Sequence, residues 1–280
     1  MPASGQPQRL DHLAVVEFGG ADAGRFLQGQ LSNDVAALGE AAWQLTSLSN
    51  PKGRVVAVLQ LTRAGERFYA VLPQALAPAV VERLTRYVLR SRVSLRIANP
   101  ELAVFGIPEL PGRWSVAQHT SAPDPSDAPA LARACRLAAI AAGHPQIYPA
   151  TSELFVAQML NLDLVDAVSF RKGCYTGQEI IARTQNLGRI KRRMLRFATG
   201  ASASLVAGDM VALDGFGPAT VVEAALTDKG EQELLAVVHL EPSTAEAGSD
   251  ERTRIEVCEL PLPYRIPERG PVRASAPPSA

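Results

Sequence analysis

After Lys191 the sequence changes character, and this change limits the folds open to the chain more than any other feature. Met194–Phe197, Asp209–Leu213, Ala219–Ala224, Leu234–Leu240 and Arg254–Glu259 are short strand candidates. Turn signals such as Asp214-Gly215 and Lys229-Gly230 separate them. An all-β C-terminal module, a small barrel, fits such a run. Upstream the pattern is mixed. Leu13–Phe18 is an apolar run ending at Gly19-Gly20, as a buried strand would. Asp22 is placed to cap a helix carrying Phe26, Leu27 and Leu31. Trp43–Leu48 and Val55–Leu61 read as strands around the hairpin loop Ser49–Arg54, where Pro51 and Gly53 supply the turn. Phe68–Leu72 is a further strand. Leu76, Val80, Leu84 and Val88 recur on one helical face, and Val93, Leu95 and Ile97 alternate as in a half-buried strand. Leu102–Ile107 closes this series, and Leu131–Ala142 reads as a helix ended by Gly143.

The fold class expected is therefore α+β. Residues 10–197 form the body, with a Pro/Ser/Asp-rich loop at 119–130 inside it. Residues 198–265 form the C-terminal β-barrel, and 266–280, rich in Pro, Ala and Ser, a flexible tail.

Lys plus Arg equals Asp plus Glu at 28 each, so no global field points to nucleic acid or a membrane. No apolar run approaches the roughly 20 residues that span a bilayer. Met1–Leu10 is polar and lacks a targeting pattern, so the chain is expected in the cytoplasm. Cys135, Cys174 and Cys258 are far apart, and His12, His119, His144 and His239 are isolated. No intrinsic metal site is expected from such spacing. Gly24 and Gly29 stand at P-loop spacing, but Gln30-Leu31 replaces the Lys and Ser/Thr. Gly215-Phe216-Gly217 is half a dinucleotide fingerprint and reads better as a turn. Neither a G-x-S-x-G elbow nor H-E-x-x-H occurs.

The chemistry concentrates in Ser169–Arg183, SFRKGCYTGQEIIAR. Ser169-Phe170 reads as a strand end, Gly173 and Gly177 permit a tight path, and Gln178–Thr184 has strong helix formers. Cys174 thus falls in a glycine-flanked turn ahead of a helix N-terminus, beside Arg171 and Lys172. Helix-end amides and neighbouring cations favour a thiolate. The bland alternative is a small buried hydrophobe, the common fate of an unpaired cysteine, which remains the reading for Cys135 and Cys258. From Arg171 to Arg196 there are eight basic residues and one acidic, Glu179. That run is either a solvated face or an attractor of carboxylates, phosphates or RNA. At 5% aromatics, base stacking is poorly supported.

Lys172-Gly173-Cys174-Tyr175-Thr176-Gly177-Gln178-Glu179, continuing to Ala182-Arg183, resembles the signature of the YgfZ family of folate-binding proteins, which is similar to the glycine-cleavage T-protein. Phe26–Val35, FLQGQLSNDV, resembles that family's N-terminal motif, and Gln158–Leu162 its Q-x-x-N-L. The resemblance covers roughly residues 10 to 265. It implies a multi-lobed, T-protein-like body around a central channel that binds tetrahydrofolate or a derivative. By the same resemblance Asn33, Asp34, Lys172, Gly173, Tyr175, Gln178, Glu179 and Arg183 bind folate, and Cys174 is the functional thiol. The implied role is support for assembly or repair of iron–sulfur enzymes, tRNA-methylthiolating ones included, so tRNA is an indirect partner. Two departures stand out. Val56-Ala57 falls where T-proteins carry their aminomethyl-transfer aspartate, and Ala141-Ala142-Gly143 lacks a preceding glutamate that relatives often have. Without the aspartate, acid–base assistance at the folate nitrogen is lost. The competing readings are a one-carbon folate enzyme of the aminomethyltransferase kind and a tRNA-binding module built on the basic run.

Overall fold

The computed structural model describes residues 8–106, 114–118, 128–187, 190–200, 204–240 and 253–267. Most of the expected loop, His119, Ile107, Arg189 and nearly all of the expected tail lie outside these residues.

All residues of β2 (Leu13–Gly19) are buried. It lies inside a five-stranded antiparallel sheet with β3 (Trp43–Ser49), β4 (Val55–Ala64), β5 (Arg67–Pro73) and β6 (Ser94–Ile97), in the order β3-β4-β5-β2-β6. Both faces of β2 are covered, which is why its apolar run is continuous rather than alternating. Its one acid, Glu17, is held by Arg67 and Arg96 from the flanking strands. Helices α1 (Ala23–Gln30) and α2 (Ala77–Val88) set Phe26, Leu27, Val80 and Leu84 into the core with Leu48 and Val55–Leu59. Asp22 does precede α1, but its side chain makes no cap bond. Its carboxylate is drawn away by the Arg92 amide and the Arg25 guanidinium.

A second, three-stranded sheet joins β1 (Gln8–Arg9), β7 (Leu102–Gly106) and β8 (Trp114–Gln118). Neither β1 nor β8 is legible in the sequence. Helix α3 (Ala128–Ala141) packs on this side, with Leu131 and Cys135 against Leu10 and Val104. Burial pushes the Cys135 thiol up to about 11, in keeping with a packing role.

His12 lies in the turn between β1 and β2, near Arg136 of α3. Burial, then Arg136, pulls it from 6.5 down to about 4, with Asp11 opposing. The folded pKa is below the unfolded one, so the unfolded chain binds the extra proton between those values. Stability should therefore fall as pH drops through that window, by at most about 3 kcal/mol from this group. We expect His12→Asn to flatten the acid limb of thermal stability between pH 6.5 and 4. An unchanged limb would assign the acid sensitivity to other groups.

Helix α4 (Gln178–Leu187) precedes the C-terminal sheet of β9 (Arg192–Thr199), β10 (Met210–Leu213), β11 (Gly217–Leu226), β12 (Gln232–His239), β13 (Arg254–Ile255) and β14 (Val257–Leu260). The order is β13-β10-β11-β12-β9-β14. Only Glu256 separates β13 from β14, so one stretch of chain pairs with both edges of a curled sheet. Gly215 and Gly217, both at positive φ, turn β10 into β11 as the sequence indicated. Alternate residues serve two cores. Leu195, Phe197, Leu234, Ala236 and Val238 pack within the sheet, while Met194, Leu235 and Val237 join the core of the body. Tyr264 returns to the end of α3, donating to the Gly143 carbonyl at 3.1 Å.

Candidate functional site

The turn that follows α1 is the foundation of the site. Ser32 is fully buried. Its hydroxyl donates to the Ala167 carbonyl at 2.7 Å and accepts from the Ser47 amide at 2.8 Å. The Ser32 carbonyl accepts from the Ser169 amide at 3.0 Å. Ser169-Phe170 is therefore loop pinned to this turn, not the expected strand end, because its amide bonds a turn carbonyl rather than a ladder. Asn33 commits its whole side chain to the same construction. Its Nδ2 donates to Leu45 and Asp166 carbonyls at 2.8 and 2.7 Å, and its Oδ1 accepts from the Asp34 amide at 2.8 Å. Asp34 is half-buried, and Gln28 Nε2 donates to its carboxylate at 2.9 Å. Gln28 Oε1 in turn accepts from the Val35 amide at 2.8 Å.

Lys172 is buried, and its Nζ donates to the Leu31 and Asn33 carbonyls at 2.8 and 2.7 Å. Burial pulls its pKa from 10.5 to about 8, with the Asp34 carboxylate opposing. The ammonium also sits 5.2 Å from the centre of the Tyr175 ring. Burial pushes the Tyr175 phenol up to about 12. The lysine read from sequence as support for a thiolate is thus engaged by carbonyls on another loop. Helix α4 starts at Gln178, past the cysteine, and its first amide donates to the Tyr175 carbonyl at 3.1 Å.

Cys174 itself is exposed. A Cβ added at neighbouring Gly173 would meet nothing within 4 Å, so the turn stands open there. The next glycine is the opposite. Gly177 has φ +84°, and a Cβ on it would lie 2.6 Å from the Asn50 carbonyl oxygen and 3.2 Å from Gly53 Cα. Hairpin loop and cysteine loop therefore touch backbone to backbone. We expect Gly177→Ala to cost roughly 2–4 kcal/mol through strain and overpacking. A thermal melt matching the parent protein would show that this approach is not needed.

Behind α4, Gln158 Nε2 donates to the Ile181 carbonyl at 2.8 Å, and Asn161, at φ +57°, donates to the Met194 carbonyl at 2.7 Å. Arg193 grips Asp163 with both terminal nitrogens at 2.9 and 3.0 Å and donates to the Gln158 carbonyl at 3.0 Å. The basic run of the sequence is thereby dispersed. Lys172 and Arg193 are buried, and Arg196 pairs with Glu233, whereas Arg171, Arg183, Lys191 and Arg192 remain exposed.

Described bonds bring Asn33, Asp34, Lys172 and Tyr175 into one cluster, with Gly173 and Cys174 on the intervening turn. Gln178, Glu179 and Arg183 line α4, the latter two exposed, and no described bond joins their side chains to that cluster. Sequence reasoning gave no role to Gln28, Ser32 or Ser47. Of these, Gln28 and Ser32 lie inside the FLQGQLSNDV stretch and were findable there. The three described cavities lie elsewhere and are not lined by the candidate residues. Among the described residues, no three His, Cys, Asp or Glu side chains group as a metal site, and no helix is long and apolar enough to cross a membrane.

No family model matches the chain. A Haemophilus influenzae protein described only as uncharacterized is 32% identical over 201 residues, spanning 67% of this chain and 71% of its own. The tRNA-modifying protein YgfZ of Enterobacter sp. strain 638 is 28% identical, spanning 92% and 93%. Its namesake from Escherichia coli K12 is 26% identical over the same shares. Among solved structures, the glycine cleavage system aminomethyltransferase T of Bartonella henselae superimposes with a TM-score of 0.61 at 16% identity, covering 85% of this chain and 79% of that one. With the cysteine motif, the turn after α1 and the hairpin loop meeting at one place on a T-protein-like fold, the chain is a homologue of the proteins named tRNA-modifying protein YgfZ.

Proposed function

We infer that the chain is a tetrahydrofolate-binding accessory protein supporting assembly or repair of iron–sulfur enzymes, those that methylthiolate tRNA among them, with Cys174 as its functional thiol. The observation that carries this reading is the Lys172 clamp on the Leu31 and Asn33 carbonyls, which fixes an exposed cysteine beside the Asp34 turn. The T-protein-like fold and relatives named for tRNA modification support it. The side chains suit a folate. Asp34 and Glu179 offer carboxylates to the N–H donors of a pterin, and Arg183 offers a guanidinium to the glutamate tail. Folate would supply one-carbon carriage. The protein's share is to hold the ligand, with Gly173, Gln178, Glu179, Arg183 and Asp34 facing it, while Asn33, Lys172 and Tyr175 build the wall.

We propose that the site lies in a central channel between lobes, since ligand pockets concentrate between domains. Division near residue 197 into a body and a C-terminal module belongs to the same proposal, supported by the separate core around Phe197 and Leu234. Closure of that module as a barrel is supported by Arg254–Leu260 pairing at both sheet edges. A cytoplasmic location is proposed with it. The T-protein likeness also favours an aminomethyltransferase, but Val55–Leu59 of β4 carries no carboxylate. An assay with tetrahydrofolate and aminomethylated carrier protein separates the two readings.

The direct test is Asp34→Ala. Loss of a hydrogen-bonding carboxylate at the ligand should weaken tetrahydrofolate roughly tenfold, about 1.4 kcal/mol. Unchanged affinity would remove Asp34 from the site.

A further inference from the structure

Among the described residues, a second group of exposed arginines lies outside the run the sequence displays, at the C-terminal end of α2. Arg86, Arg90 and Arg92 follow one another there, and Arg25 of α1 stands opposite. Arg25, Arg86 and Arg92 are 81%, 72% and 79% exposed at the side chain. Among the described residues, two carboxylates answer these four guanidinium groups. Asp22 is shared by Arg25 and Arg92, and Glu82 pairs with Arg86. Exposed pairs of this kind are weak, so the guanidinium groups remain available to a stronger anion.

Between them is a shallow concavity of about 650 Å³ lined by Arg25, Tyr87, Val88, Leu89, Arg90 and Ser91. Tyr87 is 42% exposed and Leu89 87% exposed, both large for an unpartnered surface. Leu89 is also strained. It has φ +45° and ψ −109°, and Ser91 N donates to the Val88 carbonyl at 2.8 Å. That geometry is a type II′ turn with leucine at the position glycine normally fills. A side chain held in a costly conformation and shown to solvent, rather than packed, is a mark of use rather than of folding.

We propose that this face contacts RNA. Guanidinium forks match phosphate oxygens in a planar, two-point manner that lysines do not. A half-exposed tyrosine beside them offers a ring on which an unpaired base can stack. Leu89 supplies an apolar edge next to that ring. The face adjoins the N-terminal end of α1, whereas the cysteine loop bonds its other end, where Thr176 N donates to the Gly29 carbonyl at 3.2 Å. An eight-residue helix, about 12 Å long, thus separates the RNA contact from the loop that carries the thiol.

The test is fluorescence anisotropy with unfractionated tRNA and a single-stranded oligoribonucleotide across a salt series. The wild type should bind both, less tightly as salt rises. Arg86→Glu with Arg90→Glu should weaken binding at least tenfold and reduce the salt slope by roughly 2, one unit per lost phosphate contact. Tyr87→Ala should weaken the single strand several-fold. Lys191→Glu with Arg192→Glu, exposed residues of the sequence's basic run, should change neither by more than about twofold. All variants should melt with the wild type, since the altered side chains are exposed. Absence of RNA binding at low salt, or loss through the Lys191/Arg192 pair instead, would overturn the proposal. So would tighter binding of a polyglutamate peptide to the same face, which would assign it to an acidic protein.

Discussion

Cys174→Ala should abolish rescue of iron–sulfur enzyme activity in a deletion strain while the purified variant melts within about 1 kcal/mol of the wild type. The two halves of this expectation have separate physical grounds. Cys174 is exposed, and its turn is held from elsewhere, by the Lys172 clamp, the Thr176 amide on Gly29 and the Gly177 approach to Asn50. None of these uses the sulfur. Its removal therefore forfeits little burial, unlike loss of the buried Cys135. In the function proposed above, this open thiol carries transfer or exchange chemistry, and alanine can do neither. Complete rescue by the alanine variant would make Cys174 a spectator.

The largest stability effect should come from Asp163→Ala. Asp163 and Arg193 are 2% and 1% exposed, and the guanidinium also donates to the Gln158 carbonyl and, at 3.4 Å, to Asn161 Oδ1. This arginine ties the Gln158–Leu162 motif to β9 and hence the site to the C-terminal sheet. Removing one partner of a buried pair leaves an uncompensated charge and costs about 3–5 kcal/mol. That is a large share of the roughly 5–15 kcal/mol that holds a native protein. Melting should drop by about 10 °C. Replacing both, Asp163→Leu with Arg193→Met, should recover most of the loss, because no charge is then stranded. A drop of less than about 2 °C in the single variant would mean that Arg193 finds other acceptors.

How far the sequence reaches can be seen residue by residue. Strands β2 to β5 and helix α2 were legible because their apolar spacing records which faces are buried. The late strands were legible from their turns, Gly215 and Gly217 among them, although the single candidate Arg254–Glu259 is in fact two strands, β13 and β14. The two-residue β1 and the β8 strand were not, since their pairing with β7 is a tertiary event without a local pattern. At the site, the motif residues around Cys174 announced themselves by resemblance, but their roles did not. Lys172 read as support for a thiolate and as a folate contact, and Arg193 as one charge of a basic run; only the fold turns the first onto carbonyls and the second onto Asp163. Gly177 looked like general turn flexibility, whereas it is a contact point with a loop more than a hundred residues earlier in the chain. The strained Leu89 left no trace at all, because leucine in sequence predicts burial and here it does the reverse.

The most direct measurement is a calorimetric titration of the purified protein with tetrahydrofolate, in monoglutamyl and polyglutamyl forms. Saturable one-to-one binding is expected for both forms, tighter for the polyglutamate because Arg171 and Arg183 stand exposed beside the turn. Heats no larger than dilution with either form would contradict the account.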